Sequence, residues 1–238
     1  MRKFLYFIFV LSGAAGLVYE SIWTRYLGLF VGHGAYAQVL VLVIFLGGMS
    51  VGALAIGRRA ERVRDPLRWY ALIELAVGVI GFFFHDVFVW TTHVAYDSIF
   101  PALGPGALHV IVKWGLAALL ILPQSLLLGA TFPLMTAGAL RNTPQRSGQT
   151  IALLYFANSL GAATGVLLAG FVLIEAVGLP GTLLAAAMAN IVVAGSVYLA
   201  ARRTSGTAEE SAKHEAIAAP PPVRSTVDSA LSTQVGVN

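Results

Sequence analysis

The chain has 238 residues, of which 58% are hydrophobic and only 11% charged, whereas a soluble domain carries about 25% charged residues. That excludes an ordinary water-soluble globule, because too little polar surface exists to cover the fold, and lipid is the expected solvent. Cys is absent, which excludes disulfide frameworks, Cys-ligated metals and thiol nucleophiles. The formal charge of +4 comes from Lys and Arg that punctuate apolar runs, so nucleic acid is not an expected partner.

A spanning helix needs about 20 mostly apolar residues, and six such runs follow one another: Phe4 to Leu29, Ala37 to Ile56, Trp69 to Phe84 with an extension toward Trp90, Leu108 to Leu134, Ile151 to Ile174, and Leu179 to Ala201. The first also fits a cleaved signal peptide, with Arg2 and Lys3 ahead of small residues at Gly13 to Gly16. Apolar character resumes after Glu20, however, and the charge pattern favours a retained span. Lys and Arg alternate between loops. They precede the first run, lie between the second and third (Arg58, Arg59, Arg62, Arg64, Arg68) and between the fourth and fifth (Arg141, Arg146), and follow the sixth (Arg202, Arg203). The loops at 32–34, 85–106 and 178–181 hold none. Short positive loops stay in the cytoplasm, so the expected fold is an all-α integral membrane bundle of six transmembrane helices over 1–203, with both termini inside. Loop 85–106 reads as an interfacial amphipathic segment. From Thr204 to Asn238 the composition turns to Ala, Ser, Thr and Pro, which predicts a disordered cytoplasmic tail or linker.

Polar side chains inside the runs are costly in hydrocarbon unless paired or wetted, and they fall into two groups. Glu20, roughly 24 Å along its helix from Phe4, and Lys113 share an outer depth and are candidate partners. Arg25 lies about 140° round the helix from Glu20 and is expected to snorkel outward. Glu74, Gln124 and Asn158 share the inner third and are expected to face one interior, either as interhelical hydrogen-bonding glue or as part of a substrate or proton path. Pro123 removes a helical hydrogen bond in the fourth run, which predicts a kink. Gly48 with Gly52, and Gly161 with Gly165, form small-residue faces for close helix contact. The five His residues lack paired metal-ligand spacing and no phosphate-cradling loop is present, so neither a metal nor a cofactor is expected.

The run from Ser12 to Arg25 (SGAAGLVYESIWTR) resembles the first helix of bacterial spermidine-synthase-like membrane proteins, including those fused as major-facilitator and spermidine synthase proteins. Three later runs are similar to the same family: Gly57 to Arg64 followed by Leu67 to Leu75, the Gly-Ala-Thr-x-Pro motif at Gly129 to Pro133, and Leu154 to Gly170. The resemblance covers residues 4 to about 200. It implies a bundle like half of a major-facilitator protein, in the bacterial inner membrane. Glu20, Trp23, Arg25, Thr131, Pro133, Tyr155 and Asn158 match its membrane motifs. The family's aminopropyltransferase chemistry belongs to a soluble domain that follows the membrane part. Nothing after Arg203 resembles that domain, so no catalytic residue is carried over and the chain as it stands is not expected to be an enzyme.

Three functions stay open. One is a transporter-like membrane domain for a small cationic or amphipathic solute. Another is a non-catalytic accessory or structural subunit, packed against other membrane subunits or a second copy of itself. The third is the membrane anchor of an enzyme whose catalytic part lies elsewhere.

Overall fold

A computed structural model describes residues 2–141 and 147–218, with side chains for 3–141 and 147–203. All regular structure among the described residues is helical: α1 (Arg2–Val31), α2 (Gly34–Ala60), α3 (Pro66–Val94), α4 (Phe100–Leu103), α5 (Ala107–Leu140), α6 (Ser147–Leu168) and α7 (Ile174–Ala218). Five helical stretches are long and apolar enough to cross a membrane: 3–31, 34–60, 66–103, 107–140 and 147–203. Large apolar side chains cover their outer surfaces, among them Leu29, Leu54, Leu119 and Phe171, as a bundle solvated by lipid requires.

The chain forms two units, 1–201 and 202–238. Within the first, α2 packs along α5, α1 along α6, and α3 along α5. Helix α1 is the central element: 56% of its apolar window is buried, against 17–33% in the other four stretches. Two crossings depend on glycine because backbone meets backbone. A side chain on Gly52 would run into the Leu126 carbonyl, and one on Gly129 into Met49, which fastens α2 to α5. Gly161 faces the Val10 carbonyl and Gly165 the Ala14 carbonyl, which fastens α1 to α6. The predicted small-residue faces are therefore occupied inside the chain.

Within the first unit, one element differs from the sequence expectation. Helix α3 begins at Pro66, where proline loses no hydrogen bond at a helix start. It continues through a π-helical turn at Ala95–Ile99 into α4, so the expected separate interfacial segment is helical and continuous with the third run. Rings hold this extension against α1: Phe30 lies 6.2 Å from Phe88 and 5.9 Å from Tyr96, and the Tyr96 hydroxyl donates to the Phe30 carbonyl at 2.5 Å. Helix α5 runs on through Pro123 and Pro133 as one element. The stretch 147–203 is interrupted at Gly178, whose φ of 69° and ψ of −175° are not helical; that backbone favours glycine.

In the second unit the backbone is helical to Ala218, where composition predicted an unstructured tail from Thr204. The stretch 204–218 is rich in Ala and Glu, which favour helix. Residues 219–238 of the expected tail, and Arg146 of the third basic cluster, lie outside the described residues.

The apolar core has two parts. One is aromatic and includes Trp23, Tyr26, Phe30, Phe45, Phe84 and Phe88. The other includes Leu5, Phe9, Tyr70, Leu134, Leu154 and Val197. The change from one to the other falls between Phe9 and Ala15 on α1, between Ala71 and Val77 on α3, and between Ala186 and Val193 on α7. Each of those intervals holds one buried polar residue: Ser12, Glu74 and Asn190.

Candidate polar core and membrane cleft

The buried stripe of α3 repeats at helical spacing through Tyr70, Ala71, Glu74, Val77, Gly78 and Gly81, so Glu74 occupies a position that the helix period directs into the bundle. It is 0% exposed. Ser12 Oγ of α1 donates to Glu74 Oε1 at 2.5 Å, and Asn190 Nδ2 of α7 donates to Glu74 Oε2. Tyr70, one turn earlier on α3, brings its hydroxyl beside Ser12 and Glu74, although it makes no hydrogen bond of good geometry there. Neither of the ion pairs between described residues, Arg68 with Asp65 and His93 with Asp97, involves Glu74.

Gln124 of α5 is also fully buried, and its Nε2 donates to the Val77 carbonyl on α3 at 3.0 Å. Its neighbour is the Tyr19 hydroxyl of α1. Several buried polar atoms in this layer have no hydrogen-bond partner: Tyr19 Oη, Tyr70 Oη, Gln124 Oε1 and Asn190 Oδ1. Unpaired polar atoms in an apolar interior are costly; Tyr6 Oη, Trp23 Nε1 and Thr136 Oγ1 are further buried atoms without a partner among the described residues.

Ser12 has a second role. With Gly13, Thr131, Phe132, Tyr155 and Asn158 it lines a cleft of about 400 Å³ between α1, α2, α5 and α6. Asn158 is half-buried there and Tyr155 is exposed. Phe132 stands between Tyr155, edge-on at 6.4 Å, and Phe9, tilted at 5.7 Å. Thr131 Oγ1 is turned back to the Leu128 carbonyl at 2.7 Å. A second cleft of about 520 Å³ shares Phe132 and Pro133 with the first and reaches Glu61 and Arg141 at the basic end of the bundle.

The predicted site residues thus divide. Glu74 and Gln124 lie in the polar core, whereas Asn158 lines the cleft with Thr131 and Tyr155, so the expected grouping of Glu74, Gln124 and Asn158 on one interior is corrected to two places joined by Ser12. The expected pair of Glu20 and Lys113 does not form. Lys113 Nζ lies over the rings of Tyr96, at 5.4 Å, and Phe100, at 5.2 Å, because the helical extension of α3 puts aromatic faces where the sequence suggested open loop. Glu20 is half-buried and Arg25 exposed. Trp23 is fully buried, stacked on Tyr19 at 5.6 Å with its edge contacts to Phe45, so it belongs to the aromatic core and not to the cleft. Sequence reasoning missed Asn190 and Tyr70. Asn190 is an amide within the sixth apolar run and satisfies the same rule that singled out Asn158.

Searches against protein-family models, curated proteins and solved structures found no match to this chain.

Proposed function

We propose that this chain is a transporter-like membrane domain, of the kind found in the spermidine-synthase-like membrane proteins it resembles, and that a small cationic or amphipathic solute enters through the Asn158 cleft. The observation that carries this reading is the double role of Ser12, which lines the cleft and hydrogen-bonds a carboxyl group in the core. An intramembrane carboxylate joined to a lined opening suits a solute or ion pathway better than packing alone. Tyr155 and Phe132 add aromatic faces for an organic cation.

The topology in this reading is six crossings with both ends inside the cytoplasm of a bacterial inner membrane. Residues 147–203 would extend about 85 Å as one helix, nearly three times the hydrocarbon thickness of about 30 Å, so in this reading two spans meet at the Gly178 break. Arg141 at the end of α5 donates to the backbone carbonyls of Val63 and Arg64, which brings two basic loops to the same end, as the positive-inside rule needs.

An accessory or structural role is the second reading. It draws less support from the packing, since the Gly48, Gly52, Gly161 and Gly165 faces meet helices of this same chain. The proposal is tested by thermal shift of the detergent-purified chain with polyamines, monoamines and neutral amphiphiles. Stabilisation by amines in the wild type, reduced in Asn158→Ala and Tyr155→Ala, supports it. Equal shifts in all three, or none with any solute, count against the cleft as a binding site.

A further inference from the structure

We infer that Glu74 is a proton-exchange site served by the cleft through Ser12, and that Asn190 is the partner that turns when the proton arrives. Coupling of that proton to a solute rests on the transport reading above; the exchange itself stands on the geometry.

Ser12 Oγ donates to Glu74 Oε1, and Ser12 also lines the cleft. When a hydronium ion in the cleft passes a proton to Ser12 Oγ, the hydroxyl's own proton moves to Glu74 Oε1. The hydronium becomes water, Ser12 ends with one proton as it began, and the carboxylate becomes a neutral carboxylic acid. No external co-reactant is needed.

The surroundings accommodate both states. Facing Glu74 are Ser12 and Tyr19 from α1, Tyr70 from α3 and Asn190 from α7, with Gln124 of α5 beside Tyr19. These are hydroxyls and amides, and none is a cation. The ionised carboxylate accepts from Ser12 Oγ and Asn190 Nδ2. The neutral acid has a proton to donate, and Asn190 Oδ1 is buried with no partner. Rotation of the neutral carboxyl group carries the new O–H from the Ser12 side to the Asn190 side and leaves the other oxygen to accept from Ser12 Oγ; turning the Asn190 amide over then presents Oδ1 as the acceptor for the acid proton. Asn190 packs near Gly78 of α3, so its turn reports the protonation state across the α3 and α7 contact.

The test is infrared difference spectroscopy of the full chain in phospholipid vesicles, without solute, between acidic and alkaline pH and after transfer to D2O. The wild type is expected to show a carboxylic acid C=O band that vanishes at alkaline pH, shifts in D2O, and is missing in Glu74→Gln. Ser12→Ala should keep the band but exchange about tenfold more slowly, the rate equivalent of losing one hydrogen-bonded step; Ser12→Cys serves if that variant does not fold. A Glu74 band indifferent to pH overturns the proposal. So does one lost on adding Na+ at constant pH, which would mark a metal-cation site, and so does unchanged exchange in both Ser12 variants. Exchange without solute flux would defeat the transport reading and leave this inference standing, whereas flux with a pH-indifferent Glu74 would do the reverse.

Discussion

Ser12 and Glu74, 62 residues apart, are joined by a hydrogen bond of 2.5 Å between α1 and α3, at the level where one part of the apolar core gives way to the other. The pair places a carboxyl group in an interior that offers it donors but no counter-charge. Replacing Glu74 with Ala strands Ser12 and Asn190 and leaves a void, which should cost about 3 kcal/mol. Glu74→Gln keeps the shape and most of the hydrogen bonds and should change stability by less than about 1 kcal/mol. Thermal unfolding in detergent distinguishes the two; equal losses would mean that the carboxyl environment is not as described.

The glycine crossings give a sharp local contrast. Gly47 meets nothing within 4 Å, whereas a Cβ on Gly48 would lie 2.6 Å from Ser125 Cβ, and Gly52 faces the Leu126 backbone. Gly47→Leu should leave folding intact, while Gly52→Leu and Gly161→Leu should destabilise by at least about 3 kcal/mol through backbone displacement. The yield of folded chain, followed by size-exclusion fluorescence, checks this. If Gly52→Leu folded normally but lost a partner protein, the glycine faces would be interfaces between chains.

Lys113 and Glu20 should behave independently. Because Lys113 stands over Tyr96 and Phe100 and not beside Glu20, the effects of Lys113→Met and Glu20→Gln should add within about 0.5 kcal/mol in the double variant. A larger coupling energy would restore the ion pair.

The chain has no Cys, so single introduced cysteines report topology without background. Positions 33, 96 and 178 should react with a membrane-impermeant thiol reagent from outside, and positions 64 and 203 only after the cytoplasmic side is opened. Labelling of position 96 from the inside alone would contradict the six-span arrangement.

The helices were legible because apolar runs of spanning length and alternating basic loops are written directly in composition. The break at Gly178 was legible for the same reason, since Gly178, Pro180 and Gly181 interrupt an otherwise apolar stretch. Depth along a helix, however, gives no rotation about its axis. Glu20 and Lys113 share a depth yet find different neighbours, and Asn158 faces the cleft while Glu74 faces Asn190. The α3 extension was hidden because Asp86, His93 and Asp97 look like loop residues, whereas contacts such as Tyr26 with His85, at 2.8 Å, and Phe30 with Phe88 exist only once α1 lies alongside.

In the proposed transport reading, solute passes the Asn158 cleft under the control of Glu74. The most direct measurement of this is uptake of a labelled polyamine into vesicles containing the purified chain, compared among wild type, Glu74→Gln and Asn158→Ala at matched reconstitution and confirmed folding. We expect uptake above protein-free vesicles in the wild type and a loss of at least about tenfold in both variants, as removal of a group needed at the barrier produces. Wild-type uptake no greater than that of empty vesicles, or full uptake by folded Glu74→Gln, would contradict the account.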